Sequence, residues 1–75
     1  MNEQSPNSPL TWDDSFTIAQ LLRERHASHR VEDVSLMMIY RWTLQLPEFQ
    51  DDPQIADEII LAAILKEWFE EANSL

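Results

Sequence analysis

Residues 45–54 read QLPEFQDDPQ and lie between two tryptophan-bearing apolar stretches, each with helical spacing. Pro47 disfavours helical geometry at Leu46 and offers no amide of its own, so a helix arriving from the N-terminal side stops there. Asp52 before Pro53 is a helix-starting pair, because the carboxylate accepts free amides and proline tolerates the first position. One helix therefore ends and another begins across this stretch, with a short acidic elbow between them. Phe49, at its centre, is expected to dock back onto the core and hold Glu48, Asp51 and Asp52 on the outside.

Working outward, Leu36, Ile39, Tyr40, Thr43 and Leu46 share one helical face, and Met38 and Trp42 lie a turn apart on the next. The spacing predicts a central helix over Leu36–Leu46, with Ser35 as its cap. After the elbow, Ile60, Ile64, Trp68 and Ala72 recur at steps of four, flanked by Ile59, Ala63, Leu61, Leu65 and Phe69. That pattern predicts a helix from Pro53, or from Asp57, to about Ala72, with Asp57, Glu58, Glu67, Glu70 and Glu71 on its exposed face. Near the start of the chain, Trp12-Asp13-Asp14 reads as a helix start, since negative charge suits the positive end of the dipole. Ile18, Leu21, Leu22 and Arg25 follow at steps of three and four, predicting a helix over Asp14–His26 with Arg23, Arg25 and His26 at its C-terminal end. The stretch RERHASHRVED is a polar connector.

The fold class that follows is all-α, a small three-helix domain over residues 10–75 preceded by a disordered tail at 1–9, where Asn, Gln, Ser and Pro show no apolar period. A chain of 75 residues without cysteine has neither disulfides nor thiolate-held metals to staple it, so helix packing must stabilise it. Its 44% apolar content, with three Trp and three Phe, is enough for one small core. No glycine is present, so proline and aspartate must close the loops. The N-terminus lacks a secretory pattern and no apolar run is long enough for a membrane span, so a cytoplasmic location and no membrane partner are expected.

Charge limits the function further. Net charge is −9, and residues 45–75 carry eight acids against Lys66 alone. A field of that sign repels phosphate backbones, so no nucleic-acid partner is expected; a basic protein surface or a cation is the natural complement. The elbow can serve as a docking knob, as a weak hard-metal site, or simply as a solvated cap for the last helix. His26 and His29 read as an exposed pair, and the tryptophans as core anchors with Trp42 partly exposed. A three-helix domain of this size leaves no room for an enclosed catalytic pocket, so no enzymatic activity is expected.

Three segments together, the Trp12, Asp14, Ser15 start, the F-x-D-D-P-Q elbow at Phe49–Gln54 and the A-I-L-x-x-W of Ala63–Trp68, resemble the IscX (YfhJ-like) family of bacterial iron-sulfur cluster assembly proteins. The likeness runs without gaps from Leu10 to about Ala72. It implies a small acidic monomer with a modified winged-helix fold, acting as an adaptor or regulator that docks on a cysteine desulfurase. On that basis Glu48, Asp51, Asp52, Asp57, Glu58 and Trp42 become the candidate partner-binding residues. Weak ferrous iron binding, with no tightly held cofactor, falls to Glu48, Asp51 and Asp52. The elbow here has Gln45, Pro47 and Gln50 where the family usually carries carboxylates. The alternative is an acidic interaction module unrelated to iron-sulfur assembly, for example one that blocks a basic nucleic-acid-binding surface.

Overall fold

The computed structural model describes residues 9–73. The tail expected at 1–9 lies, apart from Pro9, outside them. Three helices form the chain's framework: α1 at Ser15–Arg25, α2 at Leu36–Leu44 and α3 at Glu58–Ala72. Single 3-10 turns at Val31–Asp33 and Pro53–Ile55 precede α2 and α3. The only β pairing among the described residues is one parallel bridge between Leu10 and Phe49, so the class is all-α and no β-hairpin stands beside the helices.

The boundaries of α2 and the start of α3 have local causes. Ser35 Oγ accepts the Met38 amide at 3.2 Å and starts α2 as expected. That helix gives way at Gln45, two residues before Pro47, and Leu46 turns inward to be buried. Both start signals expected for the last helix are used, each for a different element. Asp52 caps the 3-10 turn through the Gln54 amide at 3.0 Å; the backbone then becomes extended at Ala56 and Asp57, and Asp57 caps α3 through the Ile60 amide at 2.9 Å. Asp14 behaves differently from expectation. Its carboxylate does not cap α1 but reaches back to the Thr11 amide at 2.9 Å, tightening the turn before the helix. Among the described residues none has a positive φ, which is how the chain closes its loops without glycine.

Packing is built on α1 and α3, which face each other along Ile18, Ala19 and Leu22 on one side and Ile64 and Trp68 on the other. Ile39 of α2, with Leu10, Trp12, Val34 and Leu46, completes the core. Thr43 is the one polar side chain buried there, and its hydroxyl is satisfied by donating to the Ile39 carbonyl at 2.7 Å. The α3 pattern needs correction: Ile59 and Ala63, read as flanking the core, are exposed, Ile59 at 79%, and Phe69 is half exposed. Residues 59–65 are apolar all round the helix, so periodicity alone could not say which side packs. Ala72, placed on the spine by spacing, is also exposed, whereas Glu67 and Glu71 are half-buried.

Candidate functional site

The elbow is pinned from a direction its own sequence does not announce. Leu10 donates its amide to the Glu48 carbonyl at 3.1 Å and accepts the Gln50 amide at 2.9 Å, forming the parallel bridge. Trp12, 3% exposed, then serves as the nail. Its backbone amide donates to Asp51 Oδ2 at 3.0 Å, and its indole Nε1 donates to the Asp52 carbonyl at 2.8 Å. Phe49 meets the Trp12 ring edge to face at 4.6 Å, so it docks on the core as expected. Tyr40 stacks parallel to the same indole at 6.2 Å. Four hydrogen bonds and the Trp12–Phe49 ring contact leave the corner little freedom.

This anchoring divides the candidate acids into two sets. Asp51 is half-buried, and its second oxygen accepts the Asp52 amide at 2.7 Å, so both of its oxygens serve the elbow itself. Glu48 pairs with Arg25 of α1 at 3.0 Å. Both partners are about two-fifths exposed, and such a pair contributes only about 0–1 kcal/mol. Asp52, Asp57 and Glu58 are exposed, and among the described residues none of them is in an ion pair with Lys or Arg. Asp52 and Asp57 each use one oxygen as a cap, which leaves their charge facing water at the first turns of the two successive helical segments. Of the five acids expected to project outward, Glu48 is exposed but shared with Arg25, and Asp51 alone is half-buried and turned towards the elbow's own amides.

A metal site does not assemble from the same residues. Among the described residues no group of three or more His, Asp or Glu side chains comes together in a way that could hold an ion. Glu48, Asp51 and Asp52 are therefore not gathered into such a group.

Trp42 lies elsewhere. Two residues beyond Tyr40 on a helix is about 200° of rotation, which turns it away from the elbow. Its ring is covered by His26 at 3.7 Å and 11°, with His29 edge-on at 4.9 Å and Trp68 tilted at 6.0 Å. It is half-buried, as expected, but the residue that covers it was read from sequence as part of an exposed pair; His29 alone fits that description. Burial lowers the His26 pKa from its ordinary 6.5, and the charges of His29 and Arg25 act in the same direction. A spacing of sixteen residues across a polar connector gives no signal of such a stack.

Two open grooves mark the surface, about 540 Å³ beside His26, His29 and Trp68 and about 480 Å³ between α2 and the start of α3. Neither is an enclosed chamber. No helix of the described residues is long and apolar enough to cross a membrane.

Comparison with known proteins gives a consistent result. A family model described as iron-sulphur cluster assembly matches residues 10–73, from the first residue of the bridge to the cap of α3. A protein of Pseudomonas aeruginosa, described as uncharacterized, is 40% identical over 64 residues, covering 85% of this chain and 97% of its own length.

Proposed function

The chain belongs to the iron-sulphur cluster assembly family, and from that premise we propose that it is an acidic adaptor or regulator that docks on a basic surface of a cysteine desulfurase. The observation that carries the proposal is the outward set Asp52, Asp57 and Glu58, displayed at a pinned corner and free of ion pairs with the chain's own Lys and Arg among the described residues. A net charge of −9, concentrated in the second half, adds a long-range field that speeds encounter with a positive partner. The same field opposes self-association, which supports action as a monomer.

The role is one of recognition. No step of chemistry is assigned to this chain; its acids orient the partner, and its stiff elbow limits the ordering entropy lost on binding. Iron is not part of the proposal, since each Asp51 oxygen already accepts a backbone amide and Glu48 pairs with Arg25.

Calorimetry of the chain with the cysteine desulfurase of the same organism tests this reading. Asp52→Asn, Asp57→Asn and Glu58→Gln together remove three charges while asparagine keeps both caps. Affinity is expected to fall by about tenfold or more at low salt, in line with losing several close charge pairs. Equal affinity for wild type and the triple variant would rule out this face as the docking surface.

A further inference from the structure

The groove between α2 and α3 is apolar where the rest of the elbow is charged. Leu36, Met37 and Tyr40 of α2, Leu61 of α3 and Pro53, Gln54 and Ala56 between them line it. Met37 is 55% exposed and plays no part in the core, although it stands on the central helix. An open apolar surface with a charged rim marks an interaction site, and methionine adapts its shape to whatever it meets. Here the rim consists of Asp57 and Glu58, and neither Lys nor Arg lines the groove.

Charge complementarity selects the occupant. A second copy would bring a net charge of −9 against an equal one. Residues 1–8 offer Met1 as their one large apolar side chain, and Glu3 has the wrong sign for this rim. We propose that the groove is an anchor pocket for a segment of a basic protein that presents one aliphatic or aromatic side chain between Lys or Arg residues. The assignment rests on the acidic docking face proposed above and gives it what exposed carboxylates lack. Solvated charges mainly raise the rate of encounter, whereas the lifetime of a complex depends on apolar groups buried at its centre. Asp52 adjoins Pro53 in the groove lining, and Asp57 and Glu58 line the groove themselves, so the acids and the pocket form one continuous surface.

Surface plasmon resonance against the cysteine desulfurase separates the two contributions. Met37→Ser, on an exposed side chain, should raise the dissociation rate about tenfold and leave the association rate within about twofold. Asp57→Asn with Glu58→Gln should mainly lower the association rate. If the acid variants weaken binding while Met37→Ser leaves dissociation unchanged, the pocket is overturned and the docking face stands. If the wild-type chain does not bind the desulfurase at all, the docking reading fails, and the pocket is judged alone by nuclear magnetic resonance with two probe peptides, acetyl-RKLKR-amide and acetyl-RKSKR-amide. Shifts at Met37, Tyr40 and Leu61 with the leucine peptide and not the serine peptide support it; equal shifts with both overturn it. A dimer in sedimentation that Met37→Ser abolishes would also overturn it, by giving the groove to a second copy.

Discussion

Asp51 and Trp12 stand 39 residues apart in the chain, and the Asp51 carboxylate receives the Trp12 backbone amide at 3.0 Å. That bond separates the roles of two adjacent acids. Asp51 ties the elbow to the segment before α1, and Asp52, pulled into place by the same indole through its carbonyl, displays its charge to solvent. The stiffness of the corner thus comes from a long-range tie as well as from the two prolines.

Removing the tie should be costly. Asp51→Ala leaves the part-buried Trp12 amide and the exposed Asp52 amide without their acceptor, and is expected to cost about 1–3 kcal/mol. Urea denaturation followed by tryptophan fluorescence measures it as a lower midpoint at unchanged slope. Asp51→Asn keeps one acceptor and should lose less. A midpoint shift no larger than that of the exposed control Glu70→Ala would mean that the bond contributes nothing.

Asp57 allows its two jobs to be pulled apart. Asp57→Ala removes the cap of α3 and should cost about 1 kcal/mol of stability, whereas Asp57→Asn keeps a capping oxygen and should be close to neutral. Both lose the charge, so both should weaken desulfurase binding alike. Binding that tracked stability, with asparagine behaving as wild type, would show that the charge itself is irrelevant.

The His26 stack on Trp42 gives the fold a predictable pH dependence. Burial, then His29 and Arg25, lower the folded-state pKa below 6.5, so the unfolded chain binds a proton at a pH where the folded chain does not. The stabilisation is therefore complete above about pH 6.5 and declines as pH falls through that value towards the lower folded pKa. His26→Gln should remove this component. Thermal midpoints from about pH 7.5 down to about 5.5 should fall more for wild type than for the variant; parallel curves would contradict the shift.

Much of the fold was legible because it depends on residues with strong local rules. Pro47, Ser35 and the Asp52-Pro53 pair placed the ends of α2 and the corner, and the spacing of Ile64 and Trp68 found the buried face of α3. Ile59 was misplaced because an unbroken apolar run has no direction. The acids of the site were legible as residues but not as roles. Whether Asp51 faces out or in is decided by the backbone amide of Trp12, and a backbone donor leaves no mark in the sequence. The same holds for Glu48, whose partner Arg25 lies 23 residues upstream, and for Trp42, whose cover is a histidine within the polar connector sixteen residues upstream.

The central claim is that Asp52, Asp57 and Glu58 steer this chain onto a positively charged desulfurase surface. Its most direct test is the association rate constant of the two proteins at low and at near-physiological salt, for wild type and for the Asp52→Asn, Asp57→Asn, Glu58→Gln variant. Steering predicts a wild-type rate that falls steeply as salt screens the charges, and a variant that is slower at low salt and less sensitive to its addition. A variant that associates as fast as wild type at low salt would contradict it.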